Sequence, residues 1–274
     1  MCRRAGFAGR IHVVNPVREV LADIATVPAI CDLPEAPDAA FVALSRERSI
    51  AAMTELDRIG VAGAICHVAG FGELGGDARD LQDRLAASAG RLAMVGPNCM
   101  GLVNGFDRTA LWGDDSHMEA CEGRGVAVIS QSGALVYGIL NVERAFPMGY
   151  GVSVGNQAVI DTADLVDAVL DDERVHAIAL YCEGLKDGAA LGEALSKALA
   201  RRIPVVLLRG GGTPAAAERS LSHTGNLAVP GDFWRALAER YGVVEVSSPK
   251  QLLETSKLMA IAGLPRGPRI FVAS

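Results

Sequence analysis

Short apolar runs alternate with amphipathic ones almost from end to end of the 274-residue chain. The runs "IHVVN", "AAFVALS", "GAICHVA", "LAMVG", "GVAVIS", "YGVSVG", "HAIALY", "IPVVLL", "GVVEVS" and "RIFVAS" are nearly continuous and rich in Val, Ile and Ala. Strands buried on both faces have this composition. Between them, apolar positions recur with the helical period over 46–59, 78–89, 134–145, 162–170, 189–200, 233–241 and 250–261. Strands alternating with helices build a parallel sheet covered on both faces, so the pattern predicts a doubly wound α/β fold.

The alternation breaks in three places. Residues 97–125, "PNCMGLVNGFDRTALWGDDSHMEACEGRG", read as irregular and rich in Gly and Asp. A stretch of that length without regular structure is a linker or a functional loop. Near the C-terminus, "AGLPRGPR" reads as a linker before "IFVAS", the first strand of another unit. At the start, residues 1–8 read as the end of a helix and "RIHVVNP" as a second strand, where a doubly wound nucleotide-binding domain opens with strand, glycine turn and helix. The expected division is 1–118, 119–264 and 265–274, with the first unit lacking its first strand and glycine loop.

Half of the residues are hydrophobic, 21% are charged and only 5% are aromatic, which describes a globular protein with an aliphatic core. The net charge of −6 argues against nonspecific nucleic-acid binding, which needs a basic surface. No apolar stretch of about 20 residues is present, so no membrane span is expected. The basic N-terminus lacks the apolar core of a secretory leader. The six cysteines are scattered without a C-x-x-C pair, as reduced thiols of a cytoplasmic protein would be.

In parallel sheets, ligands collect beyond the carboxyl ends of strands, and the residues just after the apolar runs are the candidates for chemistry. After "GVAVI" come Ser130, Gln131, Ser132 and Gly133 and then a helix, which makes either a plain N-cap or an anion site. A hydrolase elbow needs Gly-x-Ser-x-Gly, and this turn departs from it. Gly155 and Asn156 follow "YGVSV" as a turn or a close approach to a ligand. Glu183 follows "HAIALYC"; it can cap the next helix or accept a ring N–H from a histidine. Ser222-His223-Thr224-Gly225 follows a glycine-rich segment. His223, a carboxylate and an anion-binding helix start suit a phosphohistidine: imidazole attacks phosphorus and a helix N-terminus receives the charge. No Cys or His stands at metal-ligand spacing from His223, so no metal is expected there. His67, Val68 and Ala69 after one strand, and Pro97, Asn98 and Cys99 after the next, can line a nucleotide pocket, although Cys99 equally reads as a small core filler.

Taken in order, "GPNCMG", "ISQSGAL", "SVGNQAVIDTADLVDAVLDDE", "ALYCEGLKDG" and "SHTGNLA" resemble the NDP-forming acyl-CoA synthetases, relatives of the succinyl-CoA synthetase alpha subunit. The resemblance covers essentially the whole chain. It implies a Rossmann-like CoA-binding domain, here truncated at its N-terminus, followed by a flavodoxin-like domain. It also implies the joining of a small carboxylic acid to CoA through an acyl phosphate, or the reverse reaction from acyl-CoA. ATP or ADP, with Mg, would sit on an ATP-grasp partner outside this chain, and the assembly would be oligomeric. By the same resemblance His223 is phosphorylated and Glu183 stabilises it. Ser130, Gln131, Ser132 and Gly133 hold phosphate, Tyr137, Gly155 and Asn156 border the substrate, and residues 67–69 and 97–99 touch CoA. Arg209 stands where the family often has lysine, and Val229 where it has glycine. A noncatalytic acyl-CoA-binding or regulatory module is the alternative that keeps the fold without needing His223.

Overall fold

The computed structural model describes residues 1–141, 145–210, 231–265, 267 and 269. Helix α1 (Cys2–Ala5) ends on Gly6, whose φ of 83° is left-handed. Strands β1 (Val13–Val14), β2 (Val20–Leu21) and β3 (Ile24–Val27) follow, then β4 (Ala39–Val42), α2 (Arg46–Ile59), β5 (Gly63–Cys66), α3 (Ala78–Ser88) and β6 (Ala93–Val95). Strands β4, β5 and β6 pair in parallel and in that order. Met53 and Leu56 of α2, Leu85 of α3 and Phe71 pack with Ala64, Cys66 and Met94 of the sheet into one aliphatic cluster. Strand β1, expected as the second strand of this sheet, pairs instead with β3 in a separate three-stranded sheet of order β1-β3-β2.

The second unit contains β9 (Gly125–Ser130), α4 (Gly133–Leu140), β10 (Met148–Ser153), α5 (Thr162–Val169), β11 (Val175–Cys182) and α6 (Gly188–Ala200). It continues with β12 (Val205–Arg209), α7 (Gly231–Tyr241), β13 (Val244–Val246) and α8 (Pro249–Ala262). Helix starts follow side-chain chemistry. Asp161 accepts N–H bonds from Ala163 and Asp164 in a capping box, Asp187 caps α6, and Ser248 caps α8 with Pro249 at its first position. The parallel strands run in the order β10-β9-β11-β12-β13, which is the 2-1-3-4-5 order of a flavodoxin-like sheet. Successive residues of β9 serve opposite faces: Ala127 and Ile129 pack toward α5 and α6, Val126 and Val128 toward α4 and α8.

The expected irregular stretch is overturned as well. The stretch 97–125 contains two strands, β7 (Gly101–Asn104) and β8 (Thr109–Trp112), paired antiparallel as a hairpin. β7 adds antiparallel to β10 and completes a seven-stranded sheet. By hydrogen bonding the large sheet therefore begins at Gly101, upstream of the expected division at 118–119. The helix expected over 134–145 ends at Leu140, and the strand expected in "RIFVAS" falls outside the described residues. Among the described residues no helix is long and apolar enough to cross a membrane.

Candidate functional site

In a 2-1-3-4-5 sheet the chain leaves β9 toward one neighbour and later returns to the other side, so a crevice opens beyond the carboxyl ends of β9, β10 and β11. A cavity of about 650 Å³ lies there, closed on its other side by the first unit. Each wall is the loop after a strand: Ala43 and Leu44 after β4, His67 to Ala69 after β5, and Asn98 to Met100 after β6. The second unit contributes Gln131 to Ala134 after β9, Ser153, Gly155 and Asn156 at β10, and Glu183 after β11. Among the described residues, the strand-end loops carrying His67 to Ala69, Asn98 and Cys99, Gln131 to Gly133, Gly155 and Asn156, and Glu183 thus meet in one space.

The seam between the units is hydrogen-bonded. The backbone N–H groups of Asn156, Ala158 and Ile160 donate to the carbonyls of Pro97, Gly96 and Met94 at 2.9, 2.9 and 3.1 Å. Gly155 has φ +60°, and a Cβ there would stand 2.1 Å from the Pro97 carbonyl oxygen. Glycine is required by both conformation and space. The His67 ring Nδ1 lies 2.6 Å from the Cys99 carbonyl, which fixes the imidazole on the wall. The Met100 N–H donates to Ser153 Oγ at 3.1 Å.

Glu183 is held at its backbone and its side chain. Its N–H donates to Gln131 Oε1 at 2.7 Å, the Gly184 N–H donates to the same oxygen at 3.0 Å, and Gln131 Nε2 donates back to the Gly184 carbonyl at 2.7 Å. The Tyr181 hydroxyl donates to Glu183 Oε1 at 3.1 Å. Burial, and then the Glu183 carboxylate, push the Tyr181 hydroxyl up to about 12, so it remains a donor at neutral pH. Burial pushes the Cys66 thiol to about 12 and the Cys99 thiol higher still. Both stay protonated, and Cys99 is a buried wall residue rather than a nucleophile.

The sequence candidates separate on this geometry. Gln131 lines the cavity, and its side-chain amide is engaged with the Glu183–Gly184 turn, which it braces. Ser130 is fully buried outside the cavity, donating to the Ser132 carbonyl at 2.8 Å and accepting the Ser132 N–H at 3.0 Å. Pro97 contributes its carbonyl to the seam and does not line the space. Tyr137 lies one turn into α4, 40% exposed and off the cavity wall. His223, with the whole of 211–230, falls outside the described residues. Sequence reasoning missed Leu44, Met100, Ala134 and Ser153, which line the cavity, and Tyr181, which braces it. Apolar wall residues carry no motif; Tyr181 stands two residues before a strand-end carboxylate, and that spacing was the available signal. Arg209 is paired with Glu245 across β12 and β13, its Nε donating at 2.6 Å.

Comparison with known proteins follows the same two-part division. Residues 123–259 match the family profile of the succinyl-CoA ligase-like flavodoxin domain, and residues 1–105 that of a CoA-binding domain. The chain belongs to the succinyl-CoA ligase-like family. It is 32% identical over 257 residues to the ADP-forming acetate–CoA ligase I of Archaeoglobus fulgidus, covering 92% of this chain and 37% of that protein. It is 29% identical over 268 residues to subunit alpha of the ADP-forming acetate–CoA ligase II of Pyrococcus furiosus, covering 96% and 57%. Among solved structures it superposes with a TM-score of 0.87 on acetyl-coenzyme A synthetase 1 of Ca. Korarchaeum cryptofilum, in complex with phosphate and ADP. That match has 25% identity and covers 97% of this chain and 57% of the other. The chain thus spans between about a third and three fifths of the length of these family relatives.

Proposed function

We propose that this chain supplies the CoA and phosphohistidine half of an NDP-forming acyl-CoA synthetase, in which a small carboxylic acid and CoA are joined at the expense of ATP. The observation that carries the reading is the cavity itself. One space of about 650 Å³ is walled by the region matching a CoA-binding domain and by the region matching a succinyl-CoA ligase-like domain, with Glu183 on its surface. CoA would lie along His67 to Ala69 and Asn98 to Cys99, where the wall is mostly backbone and apolar side chain and suits a pantetheine arm. Gly133 and Ala134 at the start of α4 would offer N–H groups to the negative charge of an acyl phosphate, beside Ser132, whose own N–H is taken by Ser130 Oγ.

In the direction of acyl-CoA use, phosphate oxygen attacks the thioester carbonyl, the C–S bond breaks, and CoA leaves as thiol. A ring nitrogen of His223 then attacks phosphorus of the acyl phosphate, the P–O bond to the acyl group breaks, and the carboxylate is released. Glu183 accepts the N–H of the other ring nitrogen and balances the positive charge that develops on it. The phosphoryl group passes from His223 to ADP on an ATP-grasp partner, which would also carry Mg. An oligomeric, cytoplasmic assembly completes the reading, its two units divided near 118–119 along the chain although the 101–112 hairpin pairs with the sheet of the second unit. Its test is reconstitution with an ATP-grasp subunit, ATP, Mg, CoA and acetate. The expected products are acetyl-CoA, ADP and phosphate in equal amounts; release of AMP and pyrophosphate, or no thioester, would contradict it.

A further inference from the structure

Beneath the cavity wall, three N–H donors converge on one carboxylate to which the reaction gives no part. Glu73 Oε1 accepts the Gly70 N–H, and Oε2 accepts the Phe71 N–H at 3.1 Å and an N–H of the Asn156 side-chain amide. Asn156 Nδ2 also donates to Gln82 Oε1 at 2.9 Å, and Asn98 Nδ2 donates to Asn156 Oδ1 at 3.2 Å. The Asn156 side chain, on a residue 7% exposed, is therefore held by three side chains of the other unit. The loop that Glu73 grips is itself pegged: Phe71 is fully buried, and the Gly70 carbonyl accepts a bond from Arg46 at 3.0 Å.

We infer that Glu73 is a positioning residue that ties the loop after β5 to the loop after β10, so that the two opposing walls of the cavity keep one geometry. The names of the walls, CoA side and acyl side, rest on the proposed function; the tie does not. A carboxylate suits this place because it is acceptor-only on both oxygens. A glutamine of the same shape offers one acceptor oxygen and turns an N–H₂ toward a donor. Hydrogen bonds to a charged group are also the stronger kind, worth about 1.5–3 kcal/mol each, which corresponds to about tenfold or more in an equilibrium.

The test is a charge exchange read by two signals. Glu73→Gln removes one arm. Asn156→Asp sets its new carboxylate against Glu73 and breaks the other. In the double variant, the amide introduced at position 73 donates to the carboxylate introduced at position 156, so the direct 73–156 contact is remade with reversed polarity while Phe71 N–H and Gln82 Oε1 lose their partners. The amide resonances of Gly70 and Phe71 are followed in the ¹⁵N-labelled chain, and the dissociation constant for CoA is measured by calorimetry well below each variant's melting temperature. Asn156→Asp is expected to move the Gly70 and Phe71 resonances. Each single variant should weaken CoA binding about tenfold, and the double should bind about threefold or more tighter than Asn156→Asp alone, because the charge clash at the 73–156 contact is removed. Should Asn156→Asp not fold, Asn156→Ser cuts the same bonds without adding charge and must move the same two resonances. Unmoved resonances, or a double variant no better than Asn156→Asp alone, overturn the tie. Absence of CoA binding by the wild-type chain at millimolar CoA would count against the CoA reading, and the tie is then decided by the resonances alone.

Discussion

Glu183 shows how much a single residue carries and what sets it. Its backbone is clamped by Gln131 and its carboxylate is steered by the Tyr181 hydroxyl, so removing its charge need not disturb its placement. Glu183→Gln keeps the hydrogen-bonding shape and loses the charge that balances a protonating imidazole. Phosphorylation of the chain should fall by about 10²–10³, the usual cost of one electrostatic partner, while the melting temperature stays within about 2 °C of wild type. Stopped-flow or quench-flow labelling with ATP and the partner subunit measures the first, and calorimetry the second. At this scale the sequence was informative wherever a polar residue follows a buried strand. Asn98, Ser132, Asn156 and Glu183 all reach the cavity for that reason. It was uninformative where identical residue types differ only in the direction of the side chain. Ser130 and Ser132 stand two residues apart, and Ser130, the last residue of its strand, is buried with its hydroxyl engaged by the Ser132 backbone. Leu44 and Met100 line the space by position, and apolar residues leave no chemical mark in a sequence.

At the scale of elements, the hairpin β7–β8 is where pattern reading failed, and its structure shows why. Its strands have four residues each, its turn holds Gly105 and Asp107, and only Val103 of β7 and Trp112 of β8 are deeply buried apolar side chains. Strands that short, β8 at the sheet edge and β7 beside it, fall below the period needed to recognise them. The hairpin joins the sheet through the β7–β10 ladder, and its turn is tied down further by charge. Arg174, before β11, donates to Asp107 at 2.9 Å and to Asp172 at 2.8 Å, and its guanidinium lies 4.5 Å above the Phe106 ring centroid. The Tyr150 hydroxyl donates to Asp172 at 2.7 Å. The Arg174 guanidinium holds both carboxyls below their ordinary value of 3.8, Asp172 well below it. Groups depressed in the folded state add stability that is complete above the unfolded pKa and disappears as pH falls through the folded one. With Arg174 42% exposed, solvent screening leaves the network about 1 kcal/mol. Arg174→Met should therefore lower the melting temperature by about 2–4 °C at pH 7, with the gap closing as pH drops from about 4 toward 2. Thermal scans of both proteins across that range measure it; a gap independent of pH would show that packing on Phe106, not charge, ties down the turn.

For the whole molecule, the doubly wound fold was legible because strands buried on two faces and amphipathic helices differ strongly in period, whereas the flavodoxin-like character of the second unit was implied only by the family resemblance. The seven helical segments expected from residue 46 onward all contain a helix of the structure. What the sequence concealed was the meeting of the two units. Their seam is made by backbone groups of 94–97 and 156–160 and by the side chains of Asn98, Glu73, Gln82 and Asn156, and pairing across 58 or more residues has no local signature. That seam turns two sets of strand-end loops into one cavity. The most direct test of the account is where phosphate goes. The chain is incubated with labelled ATP, Mg and an ATP-grasp subunit, and the label on it is assayed in acid and in base for wild type and His223→Asn. The account predicts an acid-labile, base-stable label on the wild-type chain that acetate and CoA discharge, and none on the variant. A label that persists on His223→Asn, or one stable in acid, would contradict it.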